Sequence, residues 1–319
     1  MKQVRLGNTD IKVSIAGFGV LPMGPSQLAL PVDEGAVIIR YALKQGINFL
    51  DTAQYYRTYP YIRKALAGGD FKDVVICSKS LCWDYDGMMD AILEARAELK
   101  RDVIDIFLMH EVRSGQLEER SGAWEALKDA KNKGLVRAIG LSTHHVDITE
   151  ASADIPELDV IFPLINFAGL GIRKGDEFAS KEEMMEAITK CHRAGKGVFS
   201  MKAFGGGGLT GHYQEALDYV FSKSEIDSVM IGFGKISEVD DLLSYLDGTM
   251  DKSYNPDISQ KKVYINQEDC EGCGACKAAC PANAIFYNSE NGLAEVDHNK
   301  CLTCGYCSPV CPVRAVIMY

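Results

Sequence analysis

Residues 104–142 read IDIFLMHEVRSGQLEERSGAWEALKDAKNKGLVRAIGLS. An apolar run, Ile104–His110, gives way to GAWEALKDAKNKG, where apolar residues recur at helical spacing and Gly134 supplies a stop. A second apolar run, Val136–Ser142, follows at once. Neither run shows the alternation of a half-buried strand, as expected for parallel strands covered on both faces. The unit is strand, helix, strand.

It recurs along the chain. Strands are expected at Ile15–Gly19, Ile47–Asp51, Val74–Lys79, Ile104–His110, Val136–Ser142, Val160–Ile165, Gly197–Lys202 and Ser228–Ile231. Between them lie amphipathic stretches such as DEGAVIIRYALKQG (33–46), DGMMDAILEARAELK (86–100) and KEEMMEAITKCHRAG (181–195), and VRLGNTDIKVS near the start reads as a small hairpin. Eight strand-then-helix pairs in about 250 residues match an α/β fold of the (β/α)8 TIM-barrel type. The alternative is a doubly wound open sheet, but GFGVLPMG (17–24), the first strand-to-helix turn, lacks the G-x-G-x-x-G spacing of that fold.

Of 319 residues, 47% are hydrophobic and 24% charged, enough apolar material for a large core and too much for disorder. A net charge of -10 argues against a nucleic-acid partner, which requires a clustered basic face. No apolar run approaches the roughly 20 residues that span a bilayer, and MKQVRLGNTD has no signal-peptide core, so the expectation is a cytoplasmic protein without a membrane partner.

Eight of the 11 cysteines fall between Cys270 and Cys311. The polar stretch GTMDKSYNPDISQKK (248–262) precedes them, so the barrel is assigned to residues 1–250, a linker to 251–262 and a small domain to 263–319. Cys270, Cys273, Cys276 and Cys280 are spaced C-x2-C-x2-C-x3-C and followed by Pro281; Cys301, Cys304, Cys307 and Cys311, followed by Pro312, repeat the pattern. PANAIFY and PVRAVIMY continue the duplication. This is the spacing of bacterial two-cluster ferredoxins, in which the fourth cysteine of each run serves the other cluster. Two [4Fe-4S] clusters are therefore expected, one on Cys270, Cys273, Cys276 and Cys311, the other on Cys301, Cys304, Cys307 and Cys280. Zinc sites or empty motifs are the alternatives, and the presence of all eight ligands with both prolines weighs against them.

Barrel enzymes carry their chemistry at the carboxyl ends of the strands. Strand two closes with Asp51, strand three with Lys79 and strand four with His110, and Tyr55 and Tyr56 follow Asp51 closely. Singly, an aspartate after a strand is commonly a helix cap and a lysine is commonly solvated; at three consecutive strand ends the group reads as a site. A tyrosine is a poor acid near neutrality unless a neighbouring ammonium stabilises its phenolate. Lys79 can do this, Asp51 can hold Lys79 charged, and His110 can orient a carbonyl oxygen.

With these motifs in order, GFG after the hairpin, FLDTAQYY, the lysine of SKS, DIFLMH and GLVRAIGLST, residues 1 to about 247 resemble the aldo-keto reductase superfamily. The resemblance implies NAD(P)H-dependent reduction of a small carbonyl substrate, with Tyr56 as general acid by its five-residue distance from Asp51, and Tyr55 lining the substrate pocket. It further implies nucleotide contacts at Gly19, at Ser142 and Thr143, where the family usually has asparagine after the serine, and at Phe199, on which the nicotinamide would stack. The run Gly205, Gly206, Gly207 and Gly208 could admit a pyrophosphate or simply be a flexible loop. In IGFGKISEVDD, Gly232, Lys235 and Glu238 correspond to the adenosine-phosphate loop, and a carboxylate at 238 favours NADH over NADPH unless Lys235 compensates. The family's strand-six glutamine is replaced near Phe162.

In that family the C-terminal tail covers the barrel mouth and selects the substrate; here the iron–sulfur module takes its place. Three functions follow: a nicotinamide-dependent reductase whose clusters are structural or serve a redox partner protein, an electron-transfer oxidoreductase with a flavin or other non-nicotinamide cofactor, or an electron carrier with a silent barrel. The intact set Asp51, Tyr56, Lys79 and His110 counts against the third.

Overall fold

The computed structural model describes residues 1–319 except 258–261, 281, 302–304, 309, 314 and 319. Cys304, Pro281 and the last part of the linker therefore lie outside the described residues. Strands β1 (Gln3–Arg5) and β2 (Lys12–Ser14) form the expected hairpin. Strands β3 (Ala16–Gly19), β4 (Phe49–Asp51), β5 (Val75–Ser80), β6 (Ile104–Met109), β7 (Val136–Thr143) and β8 (Val160–Pro163) follow, then a small hairpin, β9 (Arg173–Lys174) with β10 (Glu177–Phe178), then β11 (Gly197–Ser200) and β12 (Ser228–Gly232). The parallel strands close in the order β3-β4-β5-β6-β7-β8-β11-β12, a barrel containing every strand expected from the sequence.

Helices cover the outside because their sequences carry one apolar stripe. In Lys181–Arg193 the buried residues Met184, Ala187, Ile188 and Cys191 recur at helical spacing. A capping box starts this helix, Ser180 Oγ accepting from the Glu183 amide and Glu183 from the Ser180 amide.

Alternation along each strand decides which side chains enter the barrel. Phe49, Val75, Cys77, Ile106, Leu108, Ala138, Val160, Phe162, Phe199 and Met230 fill the interior, with Leu6, Ile11 and Val13 from the hairpin region. Their strand neighbours Ile76, Phe107, Met109, Ile139 and Leu141 belong to the core beneath the helices. Counting on by two from Phe49, Cys77 and Leu108 reaches Asp51, Lys79 and His110, at inward positions on the carboxyl side.

Beyond the barrel, β13 (Val263–Ile265) pairs with β16 (Val316–Met318), and β14 (Ile285–Tyr287) with β15 (Ala294–Val296), both antiparallel. Their core is small and contains Cys276, Cys307 and Cys311. No helix among the described residues is long and apolar enough to cross a membrane.

At Gly140 a Cβ would lie 1.9 Å from the Val160 carbonyl oxygen, so β7 and β8 pair only because the side chain is absent. Gly140→Ala is expected to cost about 3 kcal/mol and lower the melting temperature by about 6–12 °C, read by thermal unfolding.

Candidate active site

Lys79 is 1% exposed, and its Nζ donates to Asp51 Oδ1 at 2.8 Å, Asp51 Oδ2 at 3.0 Å and the Thr52 carbonyl at 2.7 Å. Each of its three protons has an acceptor. Burial is the largest effect and by itself would lower the lysine's pKa, but Asp51 together with Tyr56 and Cys77 outweighs it and holds the ammonium charged above the usual range. The ammonium stands 4.7 Å from the centroid of the Tyr56 ring. Tyr56 Oη lies 3.2 Å from His110 Nε2, with the two rings nearly perpendicular.

Burial pushes Tyr56 up to about 12, against the pull of Lys79. Lys79 thus acts in the expected direction, yet desolvation is the larger effect and the hydroxyl stays protonated. His110 is pushed well below the usual histidine range, by burial first and then by Lys79, Arg120 and Lys202. The ring is neutral near pH 7. Its Nδ1 is buried without a hydrogen-bond partner among the described residues.

The residues expected to hold a nucleotide are placed less uniformly. Gly19 and Gly232 pair across β3 and β12 at the mouth. Ser142 Oγ accepts from the Glu111 amide at 2.9 Å, and Thr143 Oγ1 donates to the Val112 carbonyl at 2.6 Å. Phe162 stands opposite Ser142 in register, so a ring occupies the place near which the glutamine was missing.

Phe199 lies in the barrel core. It is fully buried, one layer below the mouth, stacked on Phe162 with centroids 4.3 Å apart and edge-on to Phe49 at 5.0 Å. Glu238 Oε2 accepts from the amides of Gly234 at 2.7 Å and Lys235 at 3.2 Å, closing the first turn of helix Ile236–Leu246. Gly205, Gly206 and Gly207 all have positive φ, and a Cβ at Gly207 would come 2.1 Å from the Met318 carbonyl oxygen. The glycine turn is thus seated against β16 of the small domain.

In that domain the described cysteines other than Cys273 pack in or against one small core. The Cys276 thiol is pushed up by burial first and then by Cys311, Cys270 and Cys273, and no group of three or more His, Cys, Asp or Glu among the described residues is one that could hold a metal ion. Backbone amides of Val316, Ala315 and Val313 point to the Cys311 sulfur, and the Ala284 amide donates to Cys280 Sγ at 3.3 Å. Thiolates that repel one another and accept N–H donors suit a cationic iron core. Cys280, Cys301 and Cys307 pack in the same small core as the first set.

A model of the aldo/keto reductase family matches residues 17–219, and a 4Fe-4S dicluster domain matches residues 262–312. The chain belongs to the aldo/keto reductase family. It is similar to L-galactose dehydrogenase of Arabidopsis thaliana, 27% identical over 74% of this chain and 85% of the relative. Methylglyoxal reductase of Escherichia coli is 26% identical over 53% of this chain and 63% of that protein. Among solved structures, an aldo-keto reductase from Bacillus halodurans in its holo form superposes with a TM-score of 0.62 at 18% identity, covering 81% of this chain and 93% of that one.

This aldo/keto reductase places three further residues at the site. Arg120, 1% exposed, donates to the carbonyls of His110 at 2.8 Å, Ser80 at 3.2 Å and Cys82 at 3.1 Å, pinning the ends of β5 and β6 together. Its setting in QLEERSG resembles a solvated charge run, and the sequence offers no signal of its burial. Lys202, with φ 63°, is the third cation that His110 senses, after Lys79 and Arg120. The Tyr55 hydroxyl donates to Asp269 Oδ1 at 2.9 Å and accepts from Asn266 Nδ2 at 3.0 Å, both in the small domain.

Phe199→Ala is expected to destabilise the barrel by about 3–5 kcal/mol, measured by denaturant unfolding, as removal of a core ring does. Cys311→Ala should lower iron from about eight to about four atoms per chain in anaerobically purified protein while the barrel stays folded by circular dichroism.

Proposed function

We propose that the barrel of this oxidoreductase interconverts a small carbonyl compound and its alcohol, with Tyr56 as the proton donor in reduction. The observation that carries this reading is the buried Asp51–Lys79 pair beneath Tyr56, with His110 Nε2 3.2 Å from the phenol oxygen. A substrate oxygen entering between Tyr56 and His110 would meet two hydrogen-bonding groups at once. As the carbonyl carbon is reduced, negative charge grows on that oxygen and Tyr56 transfers its proton to it. Lys79 stabilises the phenolate left behind, and Asp51 keeps Lys79 charged. His110, held neutral by burial and by the surrounding cations, orients the oxygen without titrating.

A bound NAD(P)H would supply the hydride. Family membership and the position of Ser142 at the mouth support that donor. The names of the two relatives cover both directions of the chemistry, dehydrogenation of a sugar and reduction of methylglyoxal. A second reading, in which reducing equivalents come from a redox partner through the iron–sulfur domain, draws support from β16 resting on the glycine turn. Adding NADH, NADPH or dithionite to anaerobic protein and recording the reduced-cluster paramagnetic resonance signal separates the two.

Tyr56→Phe should lower kcat for methylglyoxal with NADH or NADPH by at least about a hundredfold while leaving the fold intact; a rate near wild type removes Tyr56 as the acid. Because Tyr56 is raised to about 12 and His110 lies well below its usual range, the reductive kcat/KM should be flat from about pH 6 to about pH 9, without the inflection an ordinary histidine gives near about 6.5. A break near that value would mean that His110 ionises during the reaction.

A further inference from the structure

Tyr55 and Tyr56 share one 3-10 turn, Gln54–Tyr56, which leaves β4 just after Asp51. The turn is tightly closed. The Tyr56 amide donates to the Ala53 carbonyl at 3.1 Å, Arg57 adopts a left-handed φ of 55°, and the buried hydroxyls of Thr52 and Thr58 meet at 2.7 Å across its base. The two tyrosine rings stand 6.5 Å apart at 64°. A displacement of one side chain is therefore passed to the other.

The partners of Tyr55 lie beside a cluster ligand. Asp269, which accepts the hydrogen bond of the Tyr55 hydroxyl, directly precedes Cys270. Asn266, 4% exposed, uses every polar group it has: its amide donates to the Ala315 carbonyl at 2.7 Å, its carbonyl accepts from the Cys270 amide at 3.0 Å, its Oδ1 accepts from the Glu268 amide, and its Nδ2 reaches both Asp269 and Tyr55. Ala315 belongs to the segment whose amides face the Cys311 sulfur. One asparagine thus joins the two ends of the first ligand set, Cys270 and Cys311, and presents them to Tyr55. The Arg57–Glu268 pair, 3.7 Å apart and exposed, adds little to this contact.

We propose that Tyr55 is a positioning residue shared by the two domains, locking the loop of Cys270 and Cys311 to the turn that carries Tyr56. The proposal rests on the reading of Tyr56 as proton donor, and extends it by making the iron–sulfur domain part of what holds that donor in place. Its effect is placed on the first ligand set, since the Tyr55 hydroxyl meets Asp269 and Asn266, on the segment that leads into Cys270.

Tyr55→Phe removes only the hydroxyl and is tested in the full chain with its clusters loaded. Iron content should be unchanged, while a potentiometric titration followed by paramagnetic resonance should show a shifted potential for one cluster and an unmoved one for the other. With methylglyoxal as probe, kcat should fall about fivefold to tenfold with KM within about twofold, the loss expected of one ordinary hydrogen bond. Asp269→Ala should give the same pattern, and the double variant should be no worse than the poorer single one. Two unmoved potentials in Tyr55→Phe, or additive losses in the double variant, would overturn the proposal. If the wild-type chain reduces no carbonyl probe, the reading of Tyr56 fails, and the potentials alone still decide whether Tyr55 holds the cluster loop.

Discussion

The ion pair between Lys79 and Asp51 is the constraint around which the site is arranged. Taking two charges out of water costs several kcal/mol for each, and a pair this deep survives only when its geometry and remaining hydrogen bonds compensate. Lys79 meets that condition with three acceptors, two from Asp51 and one from the Thr52 carbonyl. Removal of either partner would leave the other charged and buried, a loss of about 3–5 kcal/mol. The chain therefore keeps an expensive charge where a hydrophobic residue would pack more cheaply, and its position below Tyr56 gives the expense a chemical use.

The electrostatics of the mouth follow from that pair. The chain carries a net charge of -10, yet His110 is surrounded by Lys79, Arg120 and Lys202. Asp51 offsets one of these cations, and Glu111 raises Tyr56 from the other side. The local field keeps a histidine neutral and favours negative charge on an oxygen brought between His110 and Tyr56. Arg120 gives this field a fixed frame, because its bonds to the backbone of His110, Ser80 and Cys82 hold two strand ends in register.

Much of this was legible because strand periodicity is strict. Apolar runs marked β5 and β6, and their alternation brings Lys79 and His110 to the same end and the same face as Asp51. The burial of Phe199 is not legible because an aromatic at the end of an apolar run does not disclose its layer, and a step of two residues separates a core ring from the mouth. The capping role of Glu238 is not legible because a carboxylate three residues into a helix looks the same whether it caps the helix or faces a ribose. Tyr55 was beyond reach, since its partner Asp269 lies 214 residues away and no local pattern encodes that contact. The glycine run signals close approach but not what approaches, and the Met318 carbonyl is one of the groups that comes close to it.

The cysteine module explains why such a contact is needed. Its sheets have two strands each and its core is small and shared by cysteines and a few aliphatic residues, so metal binding is expected to supply much of the stability that apolar burial provides elsewhere. A domain of this kind is oriented on its neighbour by a few polar contacts rather than by a broad apolar face. Asn266 meets that demand by satisfying all its groups at the junction of the Cys270 loop, the Cys311 segment and Tyr55. Hydride chemistry moves electrons in pairs and iron–sulfur clusters move them singly, so joining the two in one chain places a demand on geometry that neither half meets alone. The contact through Tyr55 lies one residue from Tyr56, the proposed proton donor, on one side and one residue from Cys270, an expected cluster ligand, on the other, where a small change in position would be felt by both.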